Sequence, residues 1–300
     1  MQAVLVEKVS KSFNGHQAVD SLSFGVAGGS IYGFLGPNGA GKTTTIRMIM
    51  NIIRPDGGRI EILGGVFNSL TTNRIGYMPE ERGLYRKMTT EKVLGYFGAI
   101  KGLSSSELSR RVPEWLERVE LSEWSKKKVE ELSRGMQQKL QFAATVINDP
   151  DLLILDEPFS GLDPVNLDLL KGIILQKRQE GKTVLFSTHV MHEAEQLCDR
   201  ILLINKGRAV VEGTLDEIRG RWQSHTISAE LEGETSFMKA LPMVTQVNTQ
   251  GKRLEISLVE EADPQEFLQE LIGRVGVKAF EIKVPTLHEI FVNLVKKTDA

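Results

Sequence analysis

The sequence predicts an α/β protein: a mostly parallel β-sheet covered by helices, with an inserted helical segment and a small α+β domain behind it. Short apolar segments alternate with amphipathic ones over much of residues 1–220. Helical patterns with polar linkers interrupt this alternation at about 81–147, and the pattern changes again near 220. Such alternation is typical of parallel strands joined by helical crossovers. We therefore expect domains at 1–220 and 221–300.

The α/β pattern opens with strands punctuated by glycine. Residues 3–9 and SLSFGVAGGSIYGFLG (21–36) are predicted strands, separated by a turn at NGHQ. A helix is predicted over 44–52, where RPDGG stops it. GRIEILGG (58–65) favours a hairpin, and RIGYMPE (74–80) favours a strand.

The remaining elements follow in the same way. The inserted segment has helical patterns at 89–100, 104–119 and 132–149, and strand–helix alternation returns from 151 to 213. The last domain reads as strand, helix (TSFMKAL, 235–241), hairpin, helix, strand and a final amphipathic helix, PTLHEIFVNLVKK.

Composition limits the functional classes. The net charge of −2 gives no general attraction to nucleic acid, so no nucleic-acid partner is expected. Cys198 is the single cysteine, which excludes an internal disulfide framework. The start, MQAVLVEKVSKSF, lacks the pattern of a signal peptide. The uncharged stretch 21–41 is rich in glycine and ends near Pro37, so a loop, strand and turn are expected rather than a membrane helix.

A glycine-rich motif between a predicted strand and a predicted helix carries the first functional signal. It matches the phosphate-loop pattern of Gly, four residues, Gly, Lys, then Ser or Thr. Its glycines permit close backbone approach, and its N–H groups and the following helix N-terminus point at anionic oxygens. The lysine reaches terminal phosphates, and the hydroxyl after it holds Mg²⁺. The nucleotide-contacting residues are Gly36, Pro37, Asn38, Gly39, Ala40, Gly41, Lys42, Thr43 and Thr44.

Two adjacent carboxylates end an apolar strand at LLILDEP. Like charges at the edge of a core repel each other and are costly to desolvate. In a phosphate-loop fold a second strand ends beside the first, and its terminal Asp holds Mg²⁺. Asp156 fits that role. Glu157 is then placed to orient or deprotonate an attacking water.

Three further features narrow the class. LSRGMQQKLQFAATVI begins an amphipathic helix whose N-terminus offers the Ser133 hydroxyl and Gly135, a second anion site. SGLD follows the acidic pair, and a strand ends at His189. One nucleotide does not need two such sites in one chain.

Together these motifs resemble the ATP-binding subunit of an ABC transporter over about residues 1–220. GPNGAGKTT resembles its Walker A loop, LLILDE its Walker B strand, LSRGMQQ a variant of its signature and SGLDP its D-loop. The resemblance implies a phosphate-loop NTPase core. It also implies that His189 is the switch histidine, that Asp163 belongs to the nucleotide-binding D-loop, and that Phe13 stacks on adenine.

The resemblance also implies partners and a location. ATP and Mg²⁺ would be held between the phosphate loop of one subunit and Ser133 and Gly135 of a second copy, in a head-to-tail dimer. Hydrolysis would drive an integral membrane permease at the cytoplasmic face of the membrane, to which this subunit binds peripherally. PEERGLY and the final helix resemble exporters of the sodium- or drug-efflux type.

Two departures from the family pattern stand out. The signature has Arg134 and Met136 where Gly and Gln are usual. At position 80, where the family has a Gln that meets Mg²⁺ or water, this sequence has Glu80. Glutamine both donates and accepts hydrogen bonds, whereas an ionised carboxylate only accepts them.

Three other classes of nucleotide-binding protein are alternatives to the transporter subunit. A GTPase would need Asn-Lys-x-Asp, but INKGR has Arg208 in place of Asp. A soluble ABC-type ATPase that acts in translation or regulation is the main alternative, although such proteins usually carry two cassettes. A noncatalytic nucleotide-sensing module is a further alternative. The presence of Glu157 argues against it, because a site that no longer hydrolyses nucleotide would most easily lose that residue. The C-terminal domain is open to a dimerisation, regulatory or packing role.

Overall fold

The computed structural model describes residues 1–221, 226–259 and 261–298. The chain divides into two compact units, Met1–Leu215 and Asp216–Ala300. The expected boundary at 220/221 adjoins residues 222–225, which lie outside the described residues. Among the described helices, none is both long enough and apolar enough to cross a bilayer.

In chain order the elements of the first unit are β1 (Gln2–Phe13), β2 (His16–Ala27), β3 (Ile31–Leu35), α1 (Lys42–Ile49), β4 (Gly57–Ile62), α2 (Ser69–Thr72), β5 (Ile75–Met78), α3 (Thr90–Ile100), α4 (Ser105–Arg118), α5 (Arg134–Val146), β6 (Leu152–Asp156), α6 (Pro164–Gln179), β7 (Thr183–Thr188), α7 (Met191–Leu197), β8 (Arg200–Asn205) and β9 (Arg208–Gly213). Short 3₁₀ helices lie at Ser122–Trp124 and Val129–Glu131. Helix α8 (Leu215–Gly220) follows at the boundary.

Within the described residues, the first unit holds a six-stranded sheet of order β5-β6-β7-β3-β8-β9. Its ladders are parallel except for β8–β9, which is antiparallel. Strands β3, β6 and β7 are buried along their whole length, which explains the apolar segments that form most of β3 and β6 and the middle of β7. Helices α3, α4 and α5 lie in the connection between β5 and β6, which are neighbours in the sheet.

A second, antiparallel sheet of order β2-β1-β4 covers part of the first unit. Phe24 of β2 stacks on Tyr32 and Phe34 of β3, with ring centroids 5.8 and 5.4 Å apart. These rings share one core with Ile46 of α1 and Ile154 of β6. Each fully buried apolar side chain of this kind stabilises the fold by about 1.5–3 kcal/mol. This core fixes the position of α1 relative to the central sheet.

GRIEILGG folds back on itself only at its end, where Ile62 and Gly65 form one antiparallel bridge, so the predicted hairpin is limited to a tight turn. Strand β4 instead pairs with β1, with Val6 opposite Ile60. Strand β4 is distant from β1 in sequence, so local sequence patterns do not predict that the two strands pair.

The second unit contains β10 (Thr226–Glu232), a 3₁₀ helix (Ser236–Ala240), β11 (Val244–Gln250), β12 (Arg253–Leu258), α9 (Pro264–Leu271), β13 (Gly276–Ile282) and α10 (Leu287–Thr298). Its antiparallel sheet has the order β11-β12-β10-β13. This is the split β-α-β-β-α-β arrangement with its first helix reduced. TSFMKAL was predicted as a helix and forms a short 3₁₀ helix, which ends before Leu241 because Pro242 favours extended backbone at that residue (ψ 128°).

Candidate nucleotide-binding site

The carboxyl ends of the parallel strands bring the predicted site residues to one edge of the central sheet. Strand β3 ends at Leu35, which pairs with Thr188 at the end of β7. Asp156, the last residue of β6, pairs with Ser187. The phosphate loop, the acidic pair and His189 therefore start from neighbouring strand ends, where ligands bind in open α/β sheets.

The phosphate loop wraps the N-terminus of α1. Gly41 precedes the helix with φ 104°, and no side chain of the described residues caps it. A Cβ at Gly41 would lie 2.5 Å from the backbone oxygen of Ala18, and one at Gly36 would lie 2.4 Å from that of Ile204. Only glycine therefore fits these two positions. The free N–H groups of the first helical turn are the donors that a phosphate needs.

Lys42 and Glu157 form a buried charged pair beside this loop. The Lys42 ammonium donates to the backbone oxygens of Gly36 (2.7 Å) and Pro37 (3.3 Å). Its Nζ lies 3.4 Å from Oε1 of Glu157, and both side chains are more than 90% buried. His189 Nδ1 lies 3.1 and 3.0 Å from the two Glu157 carboxylate oxygens. The histidine ring is half exposed, so it links the buried carboxylate to solvent.

Asp156 is fully buried next to this pair. The Ser187 hydroxyl donates to its Oδ1, whereas its Oδ2 is buried without a hydrogen-bond partner among the described residues. Burial raises the pKa of Asp156; the hydroxyls of Ser187 and Thr43 offset this in part, and the charge of Glu157 adds to it. The Thr43 hydroxyl lies near the same carboxylate. The described residues hold no group of three His, Cys, Asp or Glu placed to bind a metal by themselves.

A cavity of about 240 Å³ opens above the loop. The residues that line it are Ala18, Pro37, Asn38, Gly39, Gly41, Lys42, Thr43, Thr44, Glu80 and Glu157. Glu80 is exposed at its rim. Two predicted loop residues do not line it, since Gly36 donates its N–H to Thr188 and the buried Ala40 accepts from Gly207. The cavity is thus walled by backbone donors, one lysine and two carboxylates.

Besides Gly36, Ala40, Asp156 and His189, four further predicted residues lie outside the lining of this cavity. Phe13 ends β1, is 44% exposed and has the Lys11 ammonium 5.5 Å from its ring centroid. Ser133 caps α5 by accepting from Met136 N at 3.2 Å, and Gly135 follows in the first turn. Asp163 caps α6, and its hydrogen bond from the Asn166 backbone holds its pKa below the usual range. None of the four belongs to the wall of this chain's own cavity.

Three residues of the site were not predicted from sequence. Ala18 contributes the backbone that packs on Gly41, and Ser187 holds Asp156. Gln138 of α5 donates to the backbone of Glu157 and Pro158. Ser187 could have been proposed as a site residue, since it lies two residues before His189 in a predicted strand. The other two act through contacts that no local pattern records.

Comparison with known proteins agrees with this geometry. A family profile described as "ABC transporter" matches residues 19–160, and one described as "ATP-binding protein DrrA1-3-like, C-terminal domain" matches 213–295. The chain is 39% identical over 290 residues to the uncharacterized ABC transporter ATP-binding protein YhaQ of Bacillus subtilis (strain 168), covering 97% of both chains. The chain belongs to the ABC transporter ATP-binding proteins.

Other ABC proteins show the same likeness. The chain is 35% identical to the Nod factor export ATP-binding protein I of Rhizobium sp. (strain N33), over 97% of this chain and 96% of that protein. A solved structure described as the ATP binding subunit of an ABC transporter matches with a TM-score of 0.68 and 32% identity, over 73% of this chain and 93% of that one. The predicted fold class is confirmed. The chain is an ABC ATPase that binds and hydrolyses ATP and powers a membrane transporter, which decides against a soluble regulatory ATPase.

Proposed function

We propose that this ABC subunit hydrolyses ATP with Glu157 as general base. Lys42 and the N–H groups of the phosphate loop bind the β- and γ-phosphates, and Glu157 takes the proton of the attacking water. His189 orients the Glu157 carboxylate, to which it is hydrogen bonded. The observation that carries the proposal is the buried carboxylate held 3.4 Å from Lys42 at the floor of a phosphate-sized cavity.

We propose Mg²⁺ as the cofactor of this site. The Oδ2 of Asp156, buried and without a hydrogen-bond partner among the described residues, and the nearby Thr43 hydroxyl are hard oxygen ligands, which suit that ion. Glu80 at the cavity rim is a further candidate ligand, directly or through water. When bound, the ion supplies positive charge against the phosphate oxygens. The scarcity of acidic ligands fits this assignment, since Mg²⁺ usually shares its shell with water and substrate phosphates.

The residues outside the cavity fit a head-to-tail dimer with a second copy. Ser133 and Gly135 present a capped helix N-terminus that no group of the same chain's cavity uses. A nucleotide held by another copy would meet its hydroxyl and N–H groups. Asp163 would line that interface, and the exposed ring of Phe13 would stack on adenine. This arrangement gives both anion sites one nucleotide to share.

We propose that the partner is an integral membrane permease and that transport is outward. The export function printed for the rhizobial relative supports the direction. The subunit would then act at the cytoplasmic face of the membrane, bound through the permease. We assign the ATPase domain to 1–220 and the accessory domain to 221–300. The separate family matches and the division after Leu215 support this assignment.

The substitution Glu157→Gln tests the catalytic assignment. It keeps the size of the side chain and one acceptor oxygen but removes the base. We expect kcat for ATP hydrolysis to fall at least about 100-fold, while the dissociation constant of a fluorescent ATP analogue changes less than about threefold. Hydrolysis at the wild-type rate would show that another group is the base.

A further inference from the structure

Gln138 of α5 joins three segments around the catalytic carboxylate. Its side chain is 2% exposed, deep in the interior for an amide. Its Nε2 donates to the backbone oxygens of Pro158 (2.9 Å) and Glu157 (3.3 Å). Its Oε1 accepts from Nε of Arg82 at 3.4 Å. Both ends of the amide are thus used, which is what a buried polar group requires.

The Glu157 backbone needs this support. Its φ of +50° lies in the left-handed region, which costs about 1–3 kcal/mol for a residue with a side chain. Its N–H donates to the backbone oxygen and hydroxyl of Ser187, and its carbonyl accepts from Ser160 N as well as from Gln138. Among the described side chains, Ser187 accepts a hydrogen bond from the N–H of Glu157 and Gln138 donates one to its carbonyl oxygen. A shift in φ would swing the carboxylate away from Lys42 and His189.

Gln138 also lies on the helix that Ser133 caps. Five residue steps separate Gln138 from Ser133, about 7.5 Å of helix at 1.5 Å per residue. A helix moves as a rigid body on this length scale. Displacement of the capped N-terminus therefore carries the Gln138 amide with it, and the amide is bonded to the peptide beside the general base.

We propose that Gln138 is a positioning residue for Glu157: its donated hydrogen bonds hold the Glu157–Pro158 backbone so that the carboxylate is aimed correctly, and they connect that aim to helix α5. The inference rests on the proposed role of Glu157 as base. Gln138 itself touches neither ATP nor water in this account. It acts only through the two carbonyl groups.

The substitution Gln138→Met tests the proposal, because methionine keeps the length and flexibility of the side chain but donates no hydrogen bond. We expect kcat to fall at least tenfold with KM for ATP nearly unchanged, and a cooperative thermal transition measured in parallel shows that the variant is folded. Thr145→Val is the control. Thr145 is a buried residue of the same helix, and its hydroxyl donates to the Gln141 backbone oxygen of that helix, away from Glu157. Its kcat should stay within twofold of wild type.

A second variant covers the case in which Gln138→Met fails to fold. Gln138→Glu still accepts from Arg82 but turns an acceptor oxygen toward the two carbonyls, so kcat should fall by at least the same factor. A kcat within twofold of wild type in whichever variant folds would overturn the proposal and leave a packing role. Glu157→Gln measured in parallel separates the two levels. If that variant is inactive while the Gln138 variants are active, only this inference fails; if it is active, the proposed base fails first.

Discussion

Glu157 combines two features that are costly on their own. It is a buried carboxylate, and its backbone lies at φ +50°. Lys42 compensates for the charge, His189 lies within hydrogen-bond distance of the carboxylate, and hydrogen bonds from neighbouring segments hold the backbone. Residues that keep such strain cluster at functional sites, where the surrounding structure fixes them. The strained backbone of Glu157 thus lies at the carboxylate that we propose as the general base.

At Asp156, in contrast to Glu157, the cost of burying the charge outweighs the interactions that stabilise it. Burial raises its pKa, so the nucleotide-free protein carries an uncompensated cost when this group is ionised. A raised pKa in the folded state means that this cost is fully present above that pKa. It fades as pH falls through the raised value and disappears below the ordinary value of 3.8.

Asp156→Asn should therefore stabilise the protein and abolish its function. We expect the free energy of unfolding at pH 7.5, without nucleotide, to rise by about 1 kcal/mol, with the difference shrinking toward acid pH. Urea denaturation followed by tryptophan fluorescence measures this. Mg²⁺-dependent hydrolysis should be lost.

The control for this prediction lies just before the same strand. Arg74 holds the pKa of the partly buried Asp151 below its usual range, so Asp151→Asn should lower stability, by less than about 1 kcal/mol. Activity should persist in this variant. An Asp156→Asn variant less stable than wild type at pH 7.5 would contradict the account of Asp156.

The residues of the phosphate loop, the acidic pair and His189 could be found from sequence, because each belongs to a short motif beside a strand. Ser187 and Gln138 could not be assigned in that way. Ser187 meets Asp156 only because β6 and β7 pair in one particular register. Gln138 reaches Glu157 only because α5 packs with that face toward the end of β6. Register and helix rotation are set by long-range packing.

At the scale of elements, two helices of similar capping have different expected roles. Ser133 caps α5 and Ser104 caps α4, where Glu107 completes a capping box. Both serines accept from the backbone of the third residue after them. Only the N-terminus of α5 is assigned to a nucleotide of the second copy.

We expect Ser133→Ala and Ser104→Ala each to cost about 1 kcal/mol in the free energy of unfolding, because each removes an N-cap. Only Ser133→Ala should also lower ATPase activity, by tenfold or more, because its hydroxyl would be missing from the shared nucleotide site. Steady-state hydrolysis at saturating protein concentration measures this difference. Equal activity in the two variants would leave Ser133 with a capping role alone.

Strand and helix identity followed well from periodicity, whereas element partners and ends did not. Strands β3, β6 and β7 matched their apolar segments, but GRIEILGG paired with β1 and folded back on itself only at one bridge. The short helices Ser69–Thr72 and Leu215–Gly220 were not predicted. Segments of four to six residues carry too little periodic signal to be separated from turns.

At the scale of the whole molecule, the chain joins an ATPase unit to a separate α+β unit with its own core. Ile227, Ile256 and Phe267 anchor that core. The family match at 213–295 covers this second unit. A core of its own is the mark of an independent domain.

The central claim is that ATP joins two copies head to tail. The solution mass of Glu157→Gln with and without Mg²⁺-ATP tests it most directly, because this variant holds ATP without consuming it. We predict a monomer without nucleotide and a dimer with Mg²⁺-ATP, and the dimer should disappear when Ser133→Ala is added. A mass that Mg²⁺-ATP leaves unchanged would contradict the account.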